Sequence, residues 1–408
     1  MSGFEGIQLL GGSGVSKTWV NNRLKTYYNK DAVLIEKFNQ LLDWTITKTN
    51  SNWVVENYNN GISTGQGIRM YTPTGGVSTE NATITSNRVF DFSQIDGFWI
   101  IVDNKYISKS NLKLYLSPLS NFVLTSGYFE VTLFPEVCIG LTSVYLSKNK
   151  FTVGGGSPSF DNPILSWRVK AENATTVRDN IINGVAVGGG TPKVLFWFDD
   201  AWESAYTLGH TLARKRNIPL NHAVAPGWVG DDGFMTMEQL QDISANSNDY
   251  IGLHDTEQWG LDTSRIAIVR QQLIDTGLSD GKHAVAPNNN MGTGYNAPVT
   301  KAAMEACGIL TNAAGANAPF LPQYQDLLSI PRISLGNTIT TSAGAITAID
   351  KAIAGGGTAV FCLHRIGSDA TSMDLAEAEY TTILDYVDKK RSAGLIDAVN
   401  IADWYAGL

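Results

Sequence analysis

Between residues 191 and 408, short apolar runs alternate with helical stretches about seven times, a strand–helix rhythm that only a few architectures can satisfy. The strand-like runs are Val194–Phe198, Asn221–Ala225, Tyr250–Leu253, His283–Ala286, Gly308–Thr311, Ile333–Leu335 and Thr358–Leu363. The helical stretches are Ser204–Arg216, Met237–Ala245, Ser264–Thr276, Thr300–Ala306, Ala345–Ala354 and Leu375–Lys390. Repeated strand–helix units call for a parallel sheet covered by helices, and this number of units suits a slightly small or incomplete βα barrel. No G-x-G-x-x-G follows the first run and no G-x-x-x-x-G-K-[ST] occurs, so neither a dinucleotide nor a P-loop site has support.

The chain upstream has another texture. Residues 49–182 lack long helical periodicity and carry short strand-like runs: Phe98–Val102, Leu112–Leu116, Tyr128–Leu133 and Ile164–Val169. Strands at short intervals with polar turns between them predict an antiparallel β-sandwich of jelly-roll type. A short polar helix or loop is expected around Thr176–Ile182, and residues 183–190, ending in Gly188-Gly189-Gly190, read as a linker. Residues 1–48 read as a loose Gly/Ser-rich tail to Ser16 and one amphipathic helix from Asp31 to Trp44, in which Leu34, Ile35, Phe38, Leu41 and Leu42 recur at helical spacing. That helix either packs on the next domain or forms an oligomer contact.

Composition narrows the function classes. Lys and Arg number 30 against 38 Asp and Glu, a net charge of −8, which excludes a broadly basic, backbone-binding nucleic-acid protein. Three cysteines, Cys138, Cys307 and Cys362, make neither a disulfide scaffold nor a four-cysteine zinc module. Met1–Gly14 shows no basic segment followed by an apolar run, so no secretory signal is expected, and no run approaches a membrane span.

The chemistry is expected where strands end. Asp199-Asp200 follows the first run, His254-Asp255 the third and His364 the last, and a barrel gathers such ends on one face. Two adjacent carboxylates at a strand end point in different directions, so one can hold a divalent metal and the other accept a proton. The alternative is that one of them caps the following helix. His254 suits a metal ligand and His364 a general acid or an orienting partner, with a structural histidine as the alternative for each. His210 within a helix, His222 within a strand and His283 at a strand start read as structural. Cys362 shares a strand face with His364, but a buried cysteine more often serves as a small apolar residue than as a nucleophile.

These residues give the third region a resemblance to the polysaccharide deacetylases of the NodB-like kind, carbohydrate esterase family 4. Trp197-Phe198-Asp199-Asp200-Ala201 resembles the family's Thr-Phe-Asp-Asp-Gly. Gly252-Leu253-His254-Asp255-Thr256-Glu257-Gln258 lies where the family carries His-[Ser/Thr]-x-x-His, and Cys362-Leu363-His364 resembles its last motif. The resemblance implies a distorted seven-stranded β/α barrel over about residues 191–395, using a divalent metal, often zinc, to remove acetyl groups from glycans. It implies Asp199 as general base, His364 as general acid, and Asp200 and His254 as metal ligands. Gln258 replaces the second ligand histidine, and a two-ligand site would hold metal weakly. The family's arginine-proline motif is also incomplete. Ala286-Pro287-Asn288-Asn289 keeps the proline without the arginine, while Ile330-Pro331-Arg332 resembles another proline-arginine element. Trp202, Pro287 and Arg332 stand as candidate substrate contacts.

The sandwich resembles a non-catalytic carbohydrate-binding module, with Asp91-Phe92-Ser93 and Phe98-Trp99-Ile100 as a strand pair; a rigid spacer is the alternative. Two functions follow as expectations. One is a metal-dependent hydrolase deacetylating a surface polysaccharide or peptidoglycan-type glycan, and the other a catalytically lapsed glycan-binding structural protein. Both act outside the cell. Without a secretory signal, virion assembly is the expected route. The low charge and the Gly/Ser/Asn/Thr-rich composition resemble phage tail proteins, for which virion proteins or further copies of this chain are the expected partners.

Overall fold

The computed structural model describes residues 33–37, 44–49, 53–58, 67–73, 81–87, 89–93, 95–104, 111–120, 122, 123, 125–133, 140–172, 179–289, 291, 296–315, 318–367 and 373–408. Met1–Ser16 and Cys138 lie outside these residues. Among the described residues, twelve strands precede the barrel: β1 (Val33–Lys37), β2 (Thr45–Lys48), β3 (Val54–Tyr58), β4 (Gly67–Tyr71), β5 (Asn81–Ser86), β6 (Gly97–Asn104), β7 (Asn111–Ser117), β8 (Tyr128–Leu133), β9 (Gly140–Ser147), β10 (Thr152–Gly154), β11 (Ser166–Glu172) and β12 (Asp179–Val187). One antiparallel sheet runs β3-β4-β12-β6-β9 with β1 also on β12, and the other runs β10-β8-β7-β11-β5-β2. Along β5 and β8, half-buried and buried positions alternate, the period-two signature of a strand with one face on a core. The inner faces meet at Ile84, Phe98, Ile100, Leu114 and Trp167.

Four expectations for this region are corrected. Residues 33–37 are a strand paired with β12, Val33 opposite Val187, rather than part of a helix over 31–44; residues 38–43 lie outside the described ones. Asp91–Ser93 is not a strand, and β12 begins at Asp179, inside the stretch read as a polar helix or loop. The linker expected at 183–190 is mostly strand, since β12 runs to Val187 with all nine residues buried.

The barrel sheet is wholly parallel, in the order β17-β16-β15-β14-β13-β19-β18. Its strands are β13 (Lys193–Asp199), β14 (Asn221–Val224), β15 (Tyr250–Leu253), β16 (His283–Val285), β17 (Thr311–Ala313), β18 (Ile333–Ser334) and β19 (Thr358–Leu363). The fifth strand therefore starts at Thr311, where Gly308–Thr311 was expected. Asn312 N donates to the Leu327 carbonyl, Ile330 N to the Asn312 carbonyl and Ala314 N to the Ile330 carbonyl, so β17 is joined to the segment leading into β18 and the two sheet edges come together. Short strands β20 (Arg365–Gly367), β21 (Asp374–Ala376) and β22 (Asp397–Ala398) follow, the last pairing with β13.

Helices cover the sheet: a π-helical turn over Ala205–His210 running into α1 (Thr211–Arg214), then α2 (Met237–Asn246), α3 (Ser264–Asp275), α4 (Asn296–Ala306), α5 (Ser342–Gly355), α6 (Glu377–Ser392) and α7 (Ile401–Ala406). Local sequence sets their ends. Thr236 and Gln239 form a reciprocal capping box on α2, and α6 has Glu377 and Glu379 in its first turn and Lys389, Lys390 and Arg391 in its last, each matching the helix dipole. Among the described residues no helix is long and apolar enough to cross a membrane.

Sandwich and barrel share a packed seam. Trp99, Ile101, Leu141, Tyr145 and Ala186 on the outer face of the first sheet bury against Leu321. Trp99 Nε1 donates to the Gly355 carbonyl at 2.9 Å, and Leu321 N to Ser143 Oγ at 2.7 Å. The glycine runs at 188–190 and 355–357 belong to this seam. A Cβ on Gly355 would stand 2.6 Å from the Trp99 ring, and one on Gly189 only 2.0 Å from the Gly356 carbonyl oxygen. Glycine is required there for close approach, not for a hinge.

Candidate active site

Strand β13 is buried on both faces, which is why its sequence is a continuous apolar run. Leu195 and Trp197 face the barrel interior, and Val194, Phe196 and Phe198 the helices. The run stops at the mouth. Asp199 is the last strand residue, and Asp200 and Ala201 turn the chain with φ of 72° and 62°. Non-glycine residues seldom adopt this left-handed conformation, and their presence marks a backbone held by its surroundings. The turn sends the two carboxylates apart, Asp199 toward Arg332 and Cys362, Asp200 toward His254 and Trp202.

Asp200 and His254 form a close pair, with Oδ1 3.0 Å from Nε2. His254 follows β15, where Gly252 lets Trp197 approach so closely that a Cβ would lie 2.5 Å from its ring. His254 Nδ1 donates to the Val285 carbonyl at 2.9 Å. That bond fixes the tautomer and leaves the Nε2 lone pair facing a carboxylate oxygen, so the gap between these two acceptors must hold a cation, either a proton or a metal. Burial opposes charge on His254, but the Asp200 hydrogen bond and the nearby carboxylates outweigh it and raise its pKa. Burial likewise opposes charge on Asp200, and the His254 hydrogen bond and charge, with His364 and Trp202, together outweigh it and lower that pKa. Trp202 Nε1 donates to the second Asp200 oxygen at 3.1 Å.

Asp199, only 2% exposed, is gripped by Arg332, whose Nη1 donates to Oδ1 at 2.8 Å and Oδ2 at 2.7 Å. Arg332 itself is 3% exposed, so its place is beside the carboxylate and not in the open cleft expected of a substrate contact. Burial opposes its charge, but the Asp199 charge and hydrogen bond, with Asp200 close by, together outweigh it and raise its pKa. His364 Nε2 lies 4.0 Å from Asp199 Oδ2 and 4.0 Å from Asp200 Oδ2, with its side chain 20% exposed. The Cys362 thiol donates to Asp199 Oδ2 at 3.5 Å and burial pushes its pKa well up, which removes it as a nucleophile.

The structure thus brings Asp199, Asp200, His254 and His364 to one mouth, with Trp202 and Arg332 against the carboxylates. Pro287 is buried at the start of a tight turn over Pro287–Asn289. Gln258 is half-buried on the turn after His254, its carbonyl accepting from Leu261 N at 3.0 Å, while Glu257 is exposed. Asp255 is taken up locally, accepting from Arg265 Nη2 at 2.6 Å and Trp259 Nε1 at 3.0 Å.

The residues present fit a divalent metal as a two-ligand set. His254 passes its other N–H to a carbonyl and Asp200 is braced by Trp202, the outer-shell support that metal ligands ordinarily have. Among the described residues, close three-residue groupings of ligand atoms occur instead at Asp199–Cys362–His364 and at His210–His222–Asp249. The first is a poor cation site, since the Arg332 guanidinium occupies Asp199 and repels a second positive charge. The second, made of residues that read as unrelated in the sequence, lies apart from the mouth.

No protein-family model matches the chain, and no curated protein matches it. Among solved structures, it is similar to a family 4 carbohydrate esterase from Streptomyces lividans in complex with acetate, at 10% identity over 51% of this chain and 91% of that one, TM-score 0.35. It is also similar to a family 4 acetyl xylan esterase from Clostridium thermocellum in complex with a cobalt ion, at 15% identity over 52% and 90%, TM-score 0.34. A family 11 carbohydrate-binding module from Clostridium thermocellum is similar at 14% identity over 40% of this chain and 97% of that one, TM-score 0.30.

Proposed function

We propose that this protein is a metal-dependent hydrolase that removes acetyl groups from a surface polysaccharide or peptidoglycan-type glycan. The observation that carries the reading is the Asp200–His254 pair, two acceptors 3.0 Å apart with outer-shell partners already in place, beside a second carboxylate and a histidine. Asp200 and His254 would hold the ion, zinc being the choice their donor types favour. Such an ion supplies carbonyl polarisation and a more acidic bound water. Asp199, oriented by Arg332, is placed to accept a proton, and His364 Nε2 to deliver one to the leaving amine or hydroxyl. Trp202 keeps Asp200 in its rotamer.

The barrel is the hydrolytic part of this reading, and the sandwich a glycan-binding or spacer part. The action takes place at a cell surface, reached through virion assembly; the low charge and polar composition support that route, and finding no trace of the chain in purified particles by mass spectrometry would remove it.

Acetate release from acetylated xylan, N-acetylchitooligosaccharides and peptidoglycan, with added zinc, cobalt or nickel, tests the activity. Release that needs metal and disappears in Asp199→Asn supports the hydrolase. The rival is a glycan-binding barrel without chemistry, favoured by the absence, among the described residues, of a third His, Cys, Asp or Glu close to both Asp200 and His254. Glycan binding without release, and no metal bound under saturation, would establish that rival.

A further inference from the structure

Arg332 reaches Asp199 with one end of its guanidinium, and the other end is held by Asn289, on the turn where the arginine-proline motif is incomplete. Arg332 Nε donates to Asn289 Oδ1 at 3.1 Å, and Nη2 donates to the same oxygen at 2.5 Å. Gly315 N gives that oxygen a third hydrogen bond at 3.1 Å. Arg332 therefore bridges two strand ends, with Nη1 on Asp199 at the end of β13 and its remaining edge on the turn after β16. A planar guanidinium tied along two edges has little freedom to rotate.

The backbone is built to put Asn289 there. Asn288 and Asn289 both have φ of 53°, a left-handed conformation that asparagine tolerates better than most residues. Glycine would adopt it more freely but would bring no acceptor. Strained backbone persists where surrounding contacts over-determine it, and the three donors on Oδ1 supply those contacts. The choice of amide also matters. A neutral oxygen orients the guanidinium without competing for its charge, whereas a carboxylate there would draw Arg332 away from Asp199.

We infer that Asn289 is a positioning residue: it fixes Arg332, which in turn fixes the Asp199 carboxylate for proton transfer. The role in catalysis rests on the hydrolase reading above, while the hold on Arg332 does not. The test uses the full chain and the variants Asn289→Gly, which keeps the backbone conformation available, and Asn289→Asp, which keeps an acceptor oxygen.

The first readout is independent of activity: solvent exchange of the Arg332 side-chain Nε–H by 15N NMR. Protection is expected in the parent and in Asn289→Asp, and its loss in Asn289→Gly; equal protection in all three overturns the inference. The second readout is steady-state acetate release from penta-N-acetylchitopentaose and from 4-nitrophenyl acetate. Asn289→Gly should lower kcat about tenfold with KM within about twofold, as outer-shell losses do. An unchanged kcat, or a raised KM with kcat intact, overturns the positioning role. If the parent releases no acetate from any probe, the hydrolase reading fails while the exchange measurement still decides whether Asn289 holds Arg332.

Discussion

Two histidine–aspartate clusters sit in the same barrel, and they are built for different work. At the mouth, His254 points Nε2 at Asp200 and hands its other N–H to the Val285 carbonyl. In the second cluster Asp249 Oδ2 lies 2.7 Å from His210 Nδ1 and 3.2 Å from His222 Nε2, while its other oxygen accepts from Leu220 N at 2.9 Å. Here the outer nitrogens, His210 Nε2 and His222 Nδ1, are buried without a hydrogen-bond partner. With nothing to accept an outer proton, the inner nitrogens are the donors, and Asp249 ties the turn that ends at His210 to strand β14. Position agrees with this. Asp249 precedes β15 and His222 is the second residue of β14, the end of the strands away from the mouth. Residue types alone would mark both clusters as metal sites; where the second ring nitrogen goes separates a candidate ion site from a structural staple.

The largest effect should come from emptying the mouth. On the hydrolase reading, the double variant Asp200→Ala, His254→Ala should lose bound metal and lower acetate release by about a thousandfold or more, since metal activation would then be a principal source of the rate. Elemental analysis and the acetate assay check this, and metal retained in that variant would move the ion to the second cluster and end the contrast.

Asp249→Ala should do the reverse, leaving metal content alone and destabilising the fold by about 3 kcal/mol in urea titrations, because two buried imidazoles lose their acceptor. Burial opposes charge on Asp249, but the His210 and His222 hydrogen bonds outweigh it and hold its pKa far below the ordinary carboxylate range. A depressed carboxylate contributes stability that is fully present above the unfolded value, about 4, and lost as pH falls below it. The parent should therefore lose stability steeply below about pH 4, and Asp249→Asn, measured over the same range, should show a flatter slope.

How far the sequence exposes these sites follows from where their residues lie. Asp199, Asp200, His254 and His364 were legible because each ends a buried apolar run, and parallel strands align such ends. Arg332 and Asn289 come from irregular segments with no periodicity, and their meeting is visible only in three dimensions. His210, His222 and Asp249 belong to no motif and are brought together by the first helix folding over β14. The sandwich was legible through alternation, but Leu34 and Ile35 fit a helical period as well as a strand, and pairing with β12 decides between them. Gly188-Gly189-Gly190 carries the composition of a hinge, and only the approach of Gly356 shows why glycine is there.

Completing the mouth should sharpen the contrast by a smaller amount. Gln258→His restores the spacing of a second imidazole four residues after His254, so metal affinity should rise about tenfold or more and acetate release with it. Competition against a chromophoric chelator measures the affinity. No change would mean that the turn carrying Gln258, pinned through its carbonyl by Leu261, keeps the side chain away from the ion.

The smallest effect concerns the turn that separates the two carboxylates. Ala201 is buried at φ 62°, where an L residue pays about 1 kcal/mol or more. Ala201→Gly relieves that strain. Against it stand the loss of a buried methyl, about 0.8 kcal/mol, and the greater freedom of glycine in the unfolded chain, about 0.4–1 kcal/mol. The terms offset, so the melting temperature should move by no more than about 2 °C. Activity need not stay level. If the left-handed alanine holds Asp200 in register with His254, glycine should loosen the pair and lower metal affinity a few-fold while the Asp249 cluster, far from the turn, keeps its acid stability profile. A variant with parent affinity would show that the β13 strand end and Trp202 alone set the direction of Asp200.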